Sequence, residues 1–112
     1  ESRSGSAYLK HAHPASGYAV CGVAAAVTID TDDECVSATL SISGVSSVPQ
    51  PVNLNSLIGL VLSDSTVSNA LSELIIKEPL EDIYASSKYR KHLARTLSYR
   101  ALLLAVKRAK GL

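Results

Sequence analysis

The chain has 112 residues and a formal net charge of +1, and 46% of its residues are hydrophobic although Phe, Trp and Met are absent. This length predicts a single domain over residues 1–112, and the apolar runs fall short of the roughly 20 residues that span a membrane. The first residues lack the features of a secretory signal, so we predict a cytoplasmic location. Because Met is absent, we expect a piece of a longer polypeptide.

Charge is distributed unevenly along the sequence. From Lys88 onward all eight charged residues are basic, whereas three basic and ten acidic residues precede them. A basic segment can indicate nucleic-acid or membrane binding, but the acidic remainder of so small a domain opposes a polyanion. We therefore predict no nucleic-acid partner and no membrane partner.

The first half of the sequence predicts strands. Residues 7–13 are compatible with an edge strand. Residues 18–29 combine β-branched residues with alanine, and Gly22 disfavours the alternative of a helix. After the acidic stretch 30–34, residues 36–44 alternate between apolar and polar, which indicates one buried and one solvated face. The residues predicted to point inward are Val36, Ala38, Leu40 and Ile42.

The apolar faces of these two strands predict the register of a hairpin. The expected pairs are Ile29 with Val36, Val27 with Ala38, and Val23 with Ile42. The same register separates Cys21 from Cys35 by roughly 30 Å at about 3.3 Å per residue, so no disulfide is expected. The opposite face of the first long strand consists of the small residues Val20, Gly22, Ala24 and Ala26. Either another layer approaches this face closely, or it is filler inside one domain.

The second half predicts helices. Pro49 and Pro51 are expected to end the sheet because neither can donate a ladder hydrogen bond. A short helix is predicted over residues 53–61, a second from a cap at Ser65 or Thr66 to about Lys77, and a third over residues 86–110. The predicted class is α+β, with an antiparallel three- to four-stranded sheet packed against a three-helix C-terminal bundle.

The last helix carries an apolar stripe at helical spacing, formed by Tyr89, Leu93, Leu97, Ala101 and Leu104. On a helical wheel, Arg100 falls within this stripe and is expected to be paired, either inside the domain or at a domain or subunit contact. Leu102 falls opposite the stripe. We expect it to be exposed, either as an ordinary surface leucine or as part of a docking patch.

Possible metal ligands and catalytic groups are few. His11 and His13 share one side of a strand but lack further ligands, so a structural or solvent-exposed pair is favoured. The acidic stretch 30–34 lacks the glycine and distal glutamate of an EF-hand and is interpreted as a solvated turn. The serines form no Gly-x-Ser-x-Gly elbow, and no carboxylate pair can be assigned acid and base roles. We predict neither a catalytic centre nor a metal site.

Two segments carry a family resemblance. The first is a predicted strand with its preceding turn, residues 13–27, HPASGYAVCGVAAAV, and the second is a predicted helix, residues 86–102, SSKYRKHLARTLSYRAL. Both resemble the C-terminal domain of the FAD-binding medium subunit of molybdenum hydroxylases. This is the family of the carbon monoxide, xanthine and aldehyde dehydrogenases. Gly44, Val45 and Pro49 in the intervening loop extend the likeness to nearly the whole chain.

The resemblance implies a domain that closes over the flavin and packs between subunits while electrons pass from molybdenum through iron–sulfur clusters to FAD. The implied partners are the preceding FAD-binding domains, an iron–sulfur small subunit and a molybdopterin large subunit. It implies that Val27, Thr28, Pro49 and Pro51 face the flavin. Because no G-x-G-x-x-G loop is present, this domain alone is expected to bind no cofactor and to be inactive. The alternative is a free-standing protein-interaction module with the same fold and no flavin role.

Overall fold

The computed structural model describes residues 2–12, 19–43, 50–72 and 87–111. Four antiparallel strands form one sheet in the order β1-β2-β3-β4. The strands are β1 (Arg3–Ala12), β2 (Ala19–Ile29), β3 (Cys35–Ser43) and β4 (Gln50–Val52). They are followed by a 3₁₀ turn at Asn55–Leu57 and by the helices α1 (Asp64–Ser72) and α2 (Ser87–Ala109). The α+β class is confirmed, but the described residues contain two α-helices, not three.

The β2–β3 register agrees with the prediction in its centre and departs from it at the turn. Val27 pairs with Ala38 and Val23 with Ile42, as expected, whereas Ile29 pairs with Cys35 instead of Val36. Val36 is the extra residue of a β-bulge, which shifts the inward and outward alternation by one position. Cys35 is therefore buried, and Val36, predicted to be in the core, is 49% exposed.

The prediction that the prolines end the sheet is wrong for Pro51. Pro51 lies in β4 and pairs with Ser41 of β3. β4 is a short edge strand, where a residue without an N–H group is tolerated. Pro49 lies outside the described residues.

The first predicted helix, over residues 53–61, is reduced to the single 3₁₀ turn, because Gly59 with φ +87° turns the chain out of the helical path. The second begins at Asp64, and its cap is Ser63 instead of Ser65 or Thr66. The Ser63 N–H donates to Thr66 Oγ1 at 2.8 Å, and the Thr66 N–H donates to Ser63 Oγ at 3.5 Å. This reciprocal pair satisfies N–H groups that have no partner within the helix. Lys77, its predicted end, lies outside the described residues.

The core lies between one face of the sheet and α2. Val23, Val27, Leu40 and Ile42 share a single buried cluster with residues of α2. The buried α2 positions are Leu93, Ala94, Leu97, Ser98, Ala101, Leu102, Ala105, Val106 and Ala109.

The predicted positions of Arg100 and Leu102 on the faces of α2 were both wrong, and the pairing of Arg100 stays a prediction. Arg100 is exposed, and Leu102 is completely buried. Leu93, Leu97 and Ala101 of the predicted stripe are buried, whereas Tyr89 is 42% exposed and Leu104 is only partly buried. The buried face extends from the stripe to Ala94, Ala105 and Ala109, and these alanines allow the backbone of α2 to approach the sheet closely. Cys21 and Cys35 are both buried and unlinked, which confirms the prediction of no disulfide.

Candidate functional site

Neither of the described helices covers the face of the sheet opposite α2. We call it the open sheet face. Its side chains are small, and most carry a hydroxyl group. The strand pairings place them in rows across the sheet: Tyr8 pairs with Ala24, Ala24 with Ser41, and Ser41 with Pro51. The next row consists of Ser6, Ala26 and Thr39. Ala24 and Ala26 are exposed, so this small-residue face is not filler inside the domain.

These rows line a shallow groove of about 530 Å³. Its floor is formed by Ala24, Ala26 and the backbone beside them, with Tyr8 at one side and Pro51 at the other. Such a floor allows a flat group to approach the backbone of the central strand closely.

Tyr8 is the aromatic side chain among the described residues that line the groove, and it is 60% exposed. A Cβ atom built on Gly22 would lie 2.7 Å from the Tyr8 hydroxyl and 2.9 Å from Ser43 Oγ. The absence of a side chain at Gly22 therefore leaves the space into which the Tyr8 phenol leans. Tyr8 lines the groove and is more than half exposed, so an aromatic surface is available to a bound group.

One charged side chain reaches the groove from the other layer. Arg108, near the end of α2, lines the groove and donates from Nη1 to the Ser6 carbonyl oxygen at 2.9 Å. Because β1 is an edge strand, this bond satisfies a carbonyl group that no neighbouring strand can reach.

The structure separates the four residues for which a flavin contact was predicted. Pro51 lines the groove. Thr28 lies on the same face, half-buried, with its Oγ1 2.9 Å from Ser4 Oγ. Val27 belongs to the core side of β2 and is 1% exposed, and Pro49 lies outside the described residues. Contact of these residues with a flavin remains a prediction.

Sequence analysis missed Tyr8. Its signal was available, because residues 4, 6, 8 and 10 alternate with the more buried residues of an edge strand, and an aromatic at such a position is unusual for a solvated face.

The possible metal ligands do not form a site. His11 Nε2 lies 3.4 Å from the Tyr89 hydroxyl, with the two rings edge to face, and His13 lies outside the described residues. The carboxylate of Asp30 accepts the N–H groups of Asp32 and Glu34 at 2.9 and 3.0 Å, as expected of a solvated turn. Within the described ranges, no group of three or more His, Cys, Asp or Glu side chains could hold a metal ion.

None of the described helices is both long enough and apolar enough to cross a bilayer.

In the part of the chain that the structure describes, a four-stranded antiparallel sheet is covered by a helix on one face, which defines an α+β domain whose second sheet face is available for another layer. Residues 6–105 match the CO dehydrogenase flavoprotein C-terminal domain. The chain therefore belongs to this family of flavoprotein domains.

Solved structures agree with this assignment. A chain of quinoline 2-oxidoreductase from Pseudomonas putida 86 is 26% identical, with a TM-score of 0.81 over 95% of this chain and 38% of that chain. Reconstituted CO dehydrogenase from Oligotropha carboxidovorans is 27% identical, with a TM-score of 0.79 over 96% of this chain and 37% of that chain.

CO dehydrogenase from Hydrogenophaga pseudoflava shares the fold at 23% identity, with a TM-score of 0.84 over 95% of this chain and 38% of that chain. The chain thus spans little more than a third of the solved chains that it matches. A comparison with curated proteins finds no match.

Proposed function

We propose that this chain is the C-terminal domain of the FAD-carrying medium subunit of a molybdenum hydroxylase, in which electrons pass from molybdenum through iron–sulfur clusters to FAD. The observation that carries the proposal is the open sheet face with its exposed Tyr8. The similarity to CO dehydrogenase and quinoline 2-oxidoreductase supports it. The partners are the preceding FAD-binding domains, an iron–sulfur small subunit and a molybdopterin large subunit, and the location is cytoplasmic.

The groove fits one end of a flavin, whose isoalloxazine system is flat and aromatic. Tyr8 supplies a ring for stacking, and Ala24 and Ala26 supply a floor without protruding side chains. FAD, when bound by the subunit, supplies the electron-accepting chemistry. The residues of this chain pack against the ring and exclude water from one side of it. The phosphates of FAD require another domain, because this sequence contains no glycine-rich phosphate loop.

The proposal is tested in the full-length subunit with the substitution Ala26→Trp. Ala26 is exposed, so a larger side chain fills the groove without disturbing the core. The variant is expected to lose most of its FAD, measured by flavin absorbance per polypeptide, while the same substitution leaves the melting temperature of the isolated chain unchanged. Asn69→Trp, at an exposed position of α1, is the matched control and retains FAD.

The outcome that contradicts the flavin contact is full FAD occupancy in Ala26→Trp. The isolated chain is expected to purify without colour. A full-length wild-type protein that also binds no FAD would favour the free-standing interaction module.

A further inference from the structure

The groove of the open sheet face carries a positive charge at its β1 side. Among the described residues that line the groove, Arg108 is charged and the others are neutral. No carboxylate is paired with the Arg108 guanidinium in the described part of the chain. An arginine side chain stays charged in proteins, so the groove has a positive potential that no acidic lining residue offsets.

The close packing of α2 on β1 brings this charge around the edge of the sheet. A Cβ atom on Gly5 would overlap backbone atoms of α2 and would lie 3.0 Å from the Arg108 carbonyl carbon. Because Gly5 has no side chain, the last turn of α2 lies directly on β1, beside Ser6. The Arg108 carbonyl oxygen accepts the Gly111 N–H at 3.1 Å, which closes that turn. From there Arg108 Nη1 reaches across the edge strand to the Ser6 carbonyl oxygen at 2.9 Å.

The hydrogen bond to Ser6 does not by itself account for an arginine at this position. Ser6 and Arg108 are both exposed, so water could solvate the Ser6 carbonyl group equally well. A hydrogen bond that replaces water contributes little to stability, and holding a long side chain in one conformation costs entropy. The bond does fix the place of the guanidinium, and it leaves further N–H donors for a group bound in the groove.

A fixed positive charge acts most strongly on a ligand that gains negative charge while it is bound. The isoalloxazine ring is such a ligand, because uptake of two electrons and one proton converts its neutral oxidised form into an anion. Neutral lining residues and the exclusion of water from one side of the ring strengthen the attraction between this anion and the guanidinium. The oxidised ring gains less from the same charge, so the reduced form is favoured.

We propose that Arg108 raises the reduction potential of the flavin in the full-length subunit by holding a positive charge beside the ring. This inference rests on the proposed function and adds to it a role for this domain in the direction of electron flow. The electrons come from the iron–sulfur clusters, and the proton comes from solvent. Arg108 takes up neither, and acts through its charge alone.

The test is the reduction potential of bound FAD in the full-length subunit, measured by spectroelectrochemical titration. Arg108→Gln is expected to lower the equilibrium constant for two-electron reduction by about tenfold, which corresponds to about 30 mV. Arg108→Lys keeps the charge and is expected to keep most of the potential. Lys107→Gln is the matched control, because Lys107 is exposed and does not line the groove. It removes the same charge from the neighbouring residue and is expected to leave the potential unchanged.

Salt separates the charge of Arg108 from a purely structural role. Because Arg108 is exposed, the difference in potential between the wild type and Arg108→Gln is expected to shrink as ionic strength rises. A purely structural role would instead change the melting temperature of the isolated chain and leave the potential of bound FAD unaltered.

A second variant decides the question if Arg108→Gln folds poorly. Ser6→Asp leaves Arg108 in place but puts a carboxylate beside it at an exposed position, and it is expected to lower the potential as well. Wild-type potential in whichever of these variants binds FAD, or an equal fall in Lys107→Gln, would overturn the inference and leave the proposed function intact. A wild-type full-length subunit without FAD would remove the proposed function, and this inference with it.

Discussion

Gly5 of β1 packs directly against the backbone of α2 at Ala105. A Cβ atom on Gly5 would overlap the Ala105 carbonyl oxygen and the Ala109 N–H group, which are backbone atoms and cannot rotate away. The substitution Gly5→Ala therefore forces the end of α2 off the sheet. We expect it to lower the free energy of unfolding by about 3 kcal/mol, measured by urea denaturation.

The control for this close contact is Ser6→Ala on the same strand. Ser6 already has a Cβ atom and is exposed on the open sheet face. Removing its hydroxyl group is therefore expected to change the free energy of unfolding by less than about 0.5 kcal/mol. Equal stabilities of the Gly5→Ala and Ser6→Ala variants would show that α2 does not pack on β1 as described.

Truncation of Leu102 is expected to lower the stability of the domain strongly, whereas truncation of Arg100 is expected to leave it almost unchanged. Leu102 is completely buried between α2 and the sheet, and Leu102→Ala is expected to cost about 2–5 kcal/mol through lost burial and a cavity. Arg100 is exposed, and Arg100→Ala is expected to change stability by less than about 0.5 kcal/mol. Thermal unfolding followed by circular dichroism measures both. If Arg100→Ala costs more stability than Leu102→Ala, the result would support the helical wheel, which placed Arg100 on the buried face of the helix and Leu102 on the exposed face.

Ser98 offers a stabilising substitution. Its side chain is fully buried in α2, and within the part of the chain that the structure describes its Oγ has no hydrogen-bond partner. A buried hydroxyl without a partner is unfavourable, and alanine has the higher helix propensity. Ser98→Ala is therefore expected to raise the free energy of unfolding by about 1 kcal/mol. A loss of stability would mean that the hydroxyl is bonded in solution.

The stability of the domain is expected to depend on Cys35 at alkaline pH. Burial raises the pKa of the Cys35 thiol above its ordinary value of 9.0, because the thiolate is poorly solvated there. Above that ordinary pKa the unfolded chain releases a proton that the folded protein retains, so the free energy of unfolding falls as pH rises. Urea denaturation across this range is expected to show a shallower fall for Cys35→Ala than for the wild type. If the free energy of unfolding falls equally with pH in Cys35→Ala and in the wild type, the raised pKa of Cys35 is contradicted.

The central part of the sheet could be predicted from the sequence because alternation and hairpin geometry act locally. The pairs Val27 with Ala38 and Val23 with Ile42 follow from matching apolar faces. The bulge at Val36 could not be predicted this way. It inserts a residue that is itself apolar, so the sequence still alternates where the structure does not.

The full extent of the buried face of α2 could not be predicted, for a different reason. A helical wheel weighted by side-chain size selects Leu93 and Leu97, which are buried, but it misses Leu102 and Ala105, which lie in the core where α2 packs closely on Gly5. The extent of this face depends on a contact between the first strand and the last helix, which no local pattern records. The exposure of Ala24 and Ala26 cannot be predicted locally for the same reason, since only tertiary packing shows which face of the sheet α2 covers.

The most direct test of the flavin contact is the fluorescence of the flavin in the full-length subunit. A tyrosine ring stacked on isoalloxazine quenches its emission, so Tyr8→Leu is expected to increase flavin fluorescence severalfold while FAD remains bound. Tyr89→Leu, which removes another exposed tyrosine, is the control and leaves the emission unchanged. If Tyr8→Leu has the same emission per bound FAD as the wild type, the open sheet face does not meet the flavin.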